Sequence, residues 1–259
     1  MVKRIALVFA ALVLCACVSS GAANSGTNSR QAYDSFLITL PGPGTLTIIG
    51  VSGRQSKREA EIELALEDAA RKASMYNGVW VSYETVHNIG ANFFDYYTGS
   101  EINLEYDREL DKYKDKLFFN ENRDLMAEER GIIIRFNFAA SFPKSISYSF
   151  TRNLDGRPDW ISNPPGKING LISGVGYSGR LSRFSDTFER SCDAAAADIV
   201  SRLSTVVATK DTSAGYQNTS LIYQLSEGYL EQFLVLEIWI DPVTQAVWTL
   251  AVAGNGVEI

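Results

Sequence analysis

Apolar residues recur at helical spacing in two separate segments of the chain. The first set is Ile62, Leu66, Ala69 and Ala73, and the second set is Phe188, Cys192, Ala195 and Ile199. Within each set the side chains are four, three and four positions apart, which places them on one face of an α-helix. Because alanines occupy the middle of both faces, each helix can lie close to a sheet. The pattern therefore predicts two helices that each pack on a β-sheet.

Strand patterns surround both predicted helices. A short apolar run ending in glycine precedes each helix, and a β-type segment follows each one, at Val79–Val86 and Thr205–Thr209. Each half then closes with a hairpin. The first hairpin is predicted to pair Ile132–Ala140 with Ile146–Thr151, and the second to pair Phe233–Ile240 with Ala246–Val252. The order strand, helix, strand, hairpin predicts an α+β fold, with a helix on one face of a largely antiparallel sheet.

The two predicted units are related in sequence. Ser52-Gly53-Arg54-Gln55-Ser56 recurs 126 positions later as Ser178-Gly179-Arg180-Leu181-Ser182, and the same offset separates the two helical faces. Self-similarity at a fixed offset is the signature of an internal repeat. We therefore predict two related domains, at residues 34–152 and 153–259, joined in the turn-rich stretch Asn153–Pro158.

The first domain is longer because it carries an insertion at about residues 92–130. Apolar residues of this insertion fall at helical spacing, at Ile102, Tyr106, Leu110, Tyr113 and Leu117. The stripe predicts an amphipathic helix. The second domain lacks such a segment, so we expect the domain core not to require it.

Four aromatic residues, Phe93, Phe94, Tyr96 and Tyr97, cluster just before that stripe. In one interpretation they pack under the inserted helix. In the other they form an exposed patch that contacts a partner protein, a glycan or a membrane surface. The sequence leaves both interpretations open.

The first residues have the pattern of a secretory signal. Lys3 and Arg4 precede an uncharged apolar run, Ile5–Leu14, which is followed by small residues. The run is too short to span a bilayer, which requires about 20 apolar residues. An ordinary signal of this kind would be cleaved further on, after Ala22 or Ala23.

Leu14-Cys15-Ala16-Cys17 resembles the lipobox of bacterial lipoproteins. The resemblance implies a signal peptide of residues 1–16, cleavage after Ala16, and lipidation of Cys17. The lipids would be diacylglycerol on the sulfur and an acyl chain such as palmitate on the new amino group. Residues 18–33 are rich in serine, glycine and asparagine, which is typical of a flexible tether. Since Val18 rather than aspartate follows the cysteine, we expect anchoring in the outer membrane.

Charge and cysteine content narrow the range of partners. Acidic residues outnumber basic residues by 30 to 24, which gives a net charge of −6, and the mature segment contains no basic run. Nucleic acid is therefore not an expected partner, and lipid rather than charge must hold the protein to a membrane. Cys192 is the one cysteine left free after cleavage and lipidation, so we expect no intramolecular disulfide.

Three glycines, Gly174, Gly176 and Gly179, have the spacing of a dinucleotide-binding turn. Such a site also requires an acidic residue at the end of the next strand, whereas Asp198 falls within the predicted helix. We interpret the glycines as a strand-to-helix turn that uses positive φ angles. Ser56 and Ser182 are interpreted as residues that cap the helices that follow them.

The sequence shows no catalytic or metal-binding constellation. His87 is the single histidine, Cys192 lies on the apolar helix face, and Glu128-Glu129 has the pattern of a charged, solvated surface. We therefore expect neither enzymatic activity nor a cofactor or metal site.

Several short motifs occur together in the second domain. They are Pro158-Asp159-Trp160-Ile161, Gly174-Val175-Gly176, the alanine-rich segment Ala194–Ile199, Trp239-Ile240-Asp241-Pro242 and Val247-Trp248-Thr249-Leu250. Over about Arg157–Ala253 the chain resembles the LPP-twenty lipoprotein family, small envelope lipoproteins that include a flagellar basal-disk component. The resemblance implies a structural or assembly role in the envelope and carries over no catalytic residue.

These observations lead us to expect a non-enzymatic envelope protein that contacts the membrane through the lipid on Cys17. It would associate with itself or with other envelope proteins. The alternative is a periplasm-facing module that binds a small ligand or a glycan in the cleft between the two domains. A deep cleft lined by aromatic and polar groups would favour the alternative, and an open sheet edge would favour assembly.

Overall fold

The computed structural model describes residues 33–41, 44, 46–89, 96–140, 146–149, 151–204, 206–214 and 217–255. Within these ranges it describes the backbone alone at residues 87–89, 96–99, 206–214, 217–223 and 255. The chain forms two compact units, Met1–Ile38 and Thr39–Ile259. The described part of the first unit contains one helical turn at residues 33–36.

The described part of the second unit contains eleven strands and four α-helices. The strands are β1 (Leu46–Gly53), β2 (Val79–Ile89), β3 (Tyr96–Tyr106), β4 (Leu117–Phe118), β5 (Leu125–Glu128), β6 (Gly131–Phe138), β7 (Lys167–Ile168), β8 (Leu171–Ser178), β9 (Val206–Ala214), β10 (Gln217–Ile240) and β11 (Val247–Asn255). The helices are α1 (Arg58–Asn77), α2 (Asp111–Lys114), α3 (Glu121–Asp124) and α4 (Phe184–Leu203), with a 3₁₀ turn at Asp159–Ile161.

The strands form two antiparallel sheets. In the first sheet β1 pairs with β6, and β6 also pairs with β4 and β5. In the second sheet the order is β3-β2-β10-β11-β8-β7, and β9 pairs with the first part of β10. Helix α1 packs on β1 and β6, and α4 packs on β8 and β11. The predicted α+β architecture, with helices on antiparallel sheets, is confirmed.

Both predicted helical faces pack against the core. In α1, Ala69 and Ala73 are fully buried, and Ile62 and Leu66 are partly buried against the same hydrophobic cluster. The corresponding residues of α4 are all buried, at Phe188, Cys192, Ala195 and Ile199. The helical periodicity therefore located both helices and the faces that they bury.

Glycines allow these helices to approach the sheets closely. A Cβ atom added at Gly50 would lie 2.1 Å from the carbonyl oxygen of Ala65, and one added at Gly176 would lie 1.9 Å from that of Ser191. Both pairs of positions are 126 residues apart. The interpretation of Gly174, Gly176 and Gly179 as a positive-φ turn is wrong, because none of them has a positive φ angle. At Gly174 and Gly176 the missing side chain makes room for α4.

One predicted hairpin is confirmed and the other is wrong. Strands β10 and β11 pair as predicted, with Ile240 opposite Val247. The segment at 146–149, however, belongs to no strand, and β6 pairs instead with β1, β4 and β5. Ile132, Ile133 and Ile134 are fully buried in succession, so both faces of β6 are covered. Such a central strand requires a neighbour on each side: β1 comes from a distant segment, and β5 comes from the segment directly before β6.

The two sequence halves contribute strands to one common sheet. Strand β2, from the first half, pairs along its length with β10, from the second half, so that Val79 lies opposite Leu230 and Ile89 opposite Ser220. Strand β10 is 24 residues long and also pairs with β9 and β11. The predicted boundary at residues 153–158 therefore does not separate the hydrogen-bonded sheets.

The predicted amphipathic helix in the insertion is wrong. Ile102 and Tyr106 belong to strand β3, where apolar side chains alternate with the polar side chains of Asn103 and Glu105. This two-residue period competes with the helical period in the same segment. Further on, Tyr113 and Leu117 are buried in the core from the single-turn helix α2 and from β4. The insertion is therefore part of the folded core.

Candidate functional site

The two copies of the repeated motif form similar loops before α1 and α4. The hydroxyl of Ser52 donates a 2.9 Å hydrogen bond to the carbonyl oxygen of Gly53, and the hydroxyl of Ser178 donates a 3.0 Å bond to that of Gly179. The two helices begin at Arg58 and Phe184, again 126 residues apart. The sequence repeat therefore corresponds to repeated local geometry.

The helix-start residues differ from the prediction. Ser56 and Ser182 are not the capping residues: the N-cap positions are Lys57 and Arg183, and neither side chain caps its helix. A side chain inside each helix binds the preceding loop instead. The amide of Gln55 donates to Glu61 Oε1 at 3.0 Å, and the amide of Leu181 donates to Thr187 Oγ1 at 3.1 Å. These donors and acceptors are likewise 126 positions apart.

The turn between β5 and β6 connects the two motif loops. The backbone amide of Arg54 donates to the carbonyl oxygen of Arg130 at 2.8 Å. The guanidinium of Arg54 donates to the backbone carbonyl oxygen of Glu128. The guanidinium of Arg130 donates to the carbonyl oxygen of Leu181 at 2.5 Å and lies 5.7 Å from the ring of Phe184. One turn therefore holds the starts of α1 and α4 beside each other.

A cavity of about 670 Å³ lies between these helix starts, and we call it the arginine cleft. Its basic lining residues are Arg54, Arg71, Arg130 and Arg183. Its acidic lining residues are Glu67, Asp68 and Glu189. The lining is thus net positive in a chain whose net charge is −6. The remaining polar groups include Ser182 and Ser185 at the start of α4.

Arg71 is the deepest of these arginines, with 7% of its surface exposed. It forms ion pairs with Asp193 at 3.0 Å and Glu189 at 3.8 Å, which link α1 to α4, and with Asp68 of its own helix at 3.6 Å. Burial disfavours its charge, but these carboxylates outweigh that effect and raise the pKa of Arg71. Burial also raises the pKa of Asp193 and Glu189 in spite of the arginine. The ion pairs between the helices therefore lie at a contact where burial disfavours the charged form of Arg71, Asp193 and Glu189.

Two equivalent helix positions bind the neighbouring strands with opposite polarity. Lys72 Nζ donates a 2.8 Å hydrogen bond to the carbonyl oxygen of Ile49. Asp198, 126 positions later, accepts a 2.9 Å hydrogen bond from the amide of Val175, which is the position equivalent to Ile49. Lys72 is additionally paired with Asp68 at 2.5 Å. Both copies thus keep a hydrogen bond between the helix and the strand, but the helix side chain is a cation in the first copy and an anion in the second.

A second cavity, of about 810 Å³, lies between α4 and the strands β2 and β3. Its charged lining residues are Glu101, Asp186, Glu189, Asp193, Asp198 and Arg190. Tyr83 and Tyr177 also line it, and burial followed by the charge of Asp198 raises the pKa of Tyr83. The two cavities share Glu189, and their charges differ in sign.

The structure describes only some of the residues that the sequence singled out as possible sites. Cys17, Phe93 and Phe94 lie outside the described residues. Tyr96 and Tyr97 begin strand β3, with their backbones opposite those of Ile89 and Asn88 in β2. The backbone of His87 lies in β2, opposite Thr98. The function of the aromatic cluster therefore remains a prediction.

Cys192 is a core residue, as its position on the apolar helix face predicts. It is 2% exposed and packs in the cluster that contains Met75, Val79 and Leu230. Burial raises the pKa of its thiol to about 12, so the thiol is protonated at neutral pH. A protonated, buried thiol is a poor nucleophile.

Sequence reasoning missed Arg71, Arg130 and Arg183 as site residues. Arg54 was noticed through its motif, although only as evidence for the repeat. The available signal for Arg71 was its place between Ala70 and Ala73, on a helix whose last two turns are almost entirely buried. A charged residue in such a position requires a partner or a function. Arg130 and Arg183 gave no comparable signal, since they meet through distant elements.

Where side chains are described, no three histidine, cysteine, aspartate or glutamate residues are grouped so that they could hold a metal ion. None of the helices in the described ranges combines the length and apolarity needed to cross a membrane.

Comparison with known proteins found no family model, no curated protein and no solved structure that matches this chain. The resemblance of the second half to the LPP-twenty family therefore stays a prediction from its short motifs.

Proposed function

We propose that the protein is a lipid-anchored component of the bacterial cell envelope, with a structural or assembly role and no catalysis. The observation that carries the proposal is the sequence Leu14-Cys15-Ala16-Cys17 at the end of a charged and then apolar leader. Diacylglycerol on the sulfur and an acyl chain on the amino group would anchor Cys17 stably, because two or more chains suffice for that. Val18 favours the outer membrane over the inner membrane.

An open sheet edge supports the assembly role. Strand β3 pairs with β2 on one side and with no other strand of the described ranges. An unpaired edge can accept a strand from another chain. The adjoining face of the sheet exposes Trp80 and Leu225 beside Glu84 and Glu105. These side chains would suit a second copy or an envelope protein that offers a strand and basic side chains.

Lipidation is tested by replacing Cys17 with serine in cells that are fed labelled palmitate. We expect Cys17→Ser to lose the label and to leave the detergent phase, whereas Cys15→Ser should keep both properties. Cys15 is a matched control because it lies two positions away, within the predicted signal peptide. A Cys17→Ser protein that remains labelled in the membrane would contradict the proposal.

Assembly is tested by cross-linking in membranes, followed by affinity purification. We expect Glu101→Lys combined with Glu105→Lys to abolish the cross-linked species that contain β3, because like charges would then face a basic partner. Glu121→Lys reverses the charge of an exposed residue on α3 and should leave the cross-links unchanged. Cross-links that survive in both proteins would argue against this edge as the assembly surface.

A second candidate function, the binding of a small ligand, is favoured by the arginine cleft. Motif loops from both sequence halves line the cleft, which agrees with the alternative that the sequence left open. Its volume lies within the range of about 300–1,000 Å³ that is usual for ligand sites. Discovery of a tightly bound small molecule after purification would favour this function over assembly.

A further inference from the structure

We propose that copies of this chain assemble head to tail, with the free edge of β3 in one copy pairing with the free edge of β9 in the next. This inference rests on the proposed assembly role and names the partner, which is a second copy of the same chain. It depends on neither lipidation nor ligand binding in the arginine cleft.

The two edges belong to one four-stranded part of the second sheet. Strand β10 pairs with β2 over residues 220–230 and, along its opposite side, with β9 over residues 217–225. Strand β2 pairs in turn with β3 over 11 residues. The order in this part is therefore β3-β2-β10-β9. The outer strands are β3 and β9, and neither pairs with a further strand in the ranges that the structure describes.

The two outer strands lie level with each other across the sheet. Thr98 in β3 lies opposite His87 in β2, and His87 lies opposite Ile222 in β10. Ile222 lies opposite Thr209 in β9. Thr98 and Thr209 therefore occupy the two ends of a single row. A second copy placed beside this sheet brings its β9 level with β3 of the first.

The strand directions fit the same arrangement. All three pairs in the order β3-β2-β10-β9 are antiparallel. Strands β3 and β9 consequently run in opposite directions, so that β9 of a second copy would pair with β3 in the antiparallel manner of the rest of the sheet. Such an interface joins two different surfaces and repeats from copy to copy, which gives a ring where the rotation closes and a filament where it does not.

Helix side chains cover sheet edges elsewhere in the fold. In β1 the amide of Val51 donates a 2.9 Å hydrogen bond to Asp68 of α1, and in β8 the amide of Val175 donates a 2.9 Å bond to Asp198 of α4. Amides bonded in this way cannot pair with a strand from another chain. Among the side chains that the structure describes, none bonds to the backbone of β3. The fold therefore covers the edges of β1 and β8 and leaves that of β3 available.

Both outer strands lack the features that usually protect an exposed edge. Proline, lysine, bulges and short length are the common protective devices. Strand β3 has 11 residues and β9 has nine, and neither contains proline. Lys210 is the single lysine of the two strands. Each pairs with its inner neighbour without a bulge. Both edges are thus regular and longer than the usual strand of about 5–6 residues, as pairing with another chain requires.

The test introduces cysteines at the two ends of the row and treats membranes that contain the full-length protein with a bismaleimide. A reach of about 8 Å spans directly opposite and diagonal positions of a strand pair. We expect a dimer when differently tagged Thr98→Cys and Thr209→Cys proteins are expressed together. With both substitutions in one chain, we expect a ladder of larger species. The wild-type protein, whose Cys192 is buried, gives the background.

The matched control combines Thr98→Cys with Thr244→Cys, which lies in the exposed turn between β10 and β11 and should give no dimer. A second test pair, Ser100→Cys with Val207→Cys, occupies the next row on the same face and guards against misfolding of one variant.

Two results would overturn head-to-tail pairing. The first is a dimer of Thr98→Cys with itself, which would show β3 pairing with β3 about a two-fold axis. The second is the failure of both test pairs to link two copies. If the test pairs fail while wild-type cross-links that contain β3 persist, the assembly role stands with a different partner. If those cross-links are also missing, the assembly role is wrong as well.

Discussion

The indole Nε1 of Trp160 donates a 2.5 Å hydrogen bond to Oε2 of Glu237, a carboxylate with no exposed surface. Arg152 forms an ion pair with the other oxygen of the same carboxylate. A buried carboxylate is tolerated only where such partners replace water. These two contacts fasten the segment between the sequence halves to strand β10, in the middle of the second sheet.

We predict that Trp160→Phe lowers the free energy of unfolding by about 2 kcal/mol, because one oxygen of the buried Glu237 then loses its donor. Phenylalanine keeps most of the apolar contact, so the loss reports mainly on the hydrogen bond. Tyr177→Phe is the control, since this exposed side chain makes no hydrogen bond within the described residues. Urea unfolding measures both, and equal midpoints for the two variants would show that the bond contributes nothing.

We predict that Gly176→Ala and Gly50→Ala each destabilise the protein by about 1–3 kcal/mol or more, as overpacking does. In both cases the new Cβ atom would overlap a backbone carbonyl oxygen of the helix above it. Gly166→Ala should have an effect within about 0.5 kcal/mol, because no atom lies within 4 Å of its Cβ position. Thermal unfolding of the three variants measures these losses. A Gly176→Ala protein as stable as wild type would contradict the close packing of α4 on the sheet.

We predict that Asp241 stabilises the protein at neutral pH and ceases to do so in acid. Its carboxylate accepts hydrogen bonds from the amides of Val243 at 2.8 Å and Thr244 at 3.0 Å, and the bond from Thr244 contributes most to lowering its pKa below 3.8. A lowered pKa in the folded state means that stability is present above pH 3.8 and is lost as pH falls through the lower, folded value.

Urea unfolding of Asp241→Asn at pH 6 and at pH 3 tests this prediction. The difference from wild type should be under about 1 kcal/mol at pH 6, because the group is partly exposed to solvent, and should shrink at pH 3. A difference for Asp241→Asn that grows in acid would reverse the expected sign.

We predict that the insertion cannot be removed without unfolding the protein, contrary to the expectation from sequence. Leu117→Ala should cost about 2–5 kcal/mol because Leu117 packs in the first core cluster. Phe118→Ala, at the neighbouring exposed position, should cost much less. Circular dichroism of a deletion of residues 92–130 provides the second measurement. A folded deletion protein with normal unfolding would show that β3, β4 and β5 are dispensable.

Local sequence patterns identified the helices and their buried faces but not most strand pairings. Ile62, Ala69 and Ala73 lie on one face because helical spacing depends on a single segment. The partner of β6 could not be found in this way, because its neighbours come from β1 and from the insertion. In the insertion, the apolar residues fit both a helical spacing and a strand spacing. The segment forms strand β3 because β2 pairs with it.

The arginine cleft was even less accessible from sequence. Its arginines come from a motif loop, a buried helix, a turn and a helix start, so no single window of sequence contains them. Arg54 was visible because its motif is repeated. Arg71 shows the general difficulty: nothing in the sequence of α1, which carries several charged residues, indicates that this one is buried against Asp193 and Glu189 of the opposite helix.

The pairing of β2 with β10 joins a strand that is synthesised early to one that is synthesised late. Residues 79–89 are made early, but their hydrogen-bonding neighbours at 220–230 are among the last to be synthesised. At roughly 5–20 residues per second, β2 waits on the order of ten seconds for that neighbour. During this interval β2 can pair with β3 on one side, but its other edge has no neighbour until residues 220–230 are made. A chaperone that covers β2 in those seconds would therefore protect the whole molecule from aggregation.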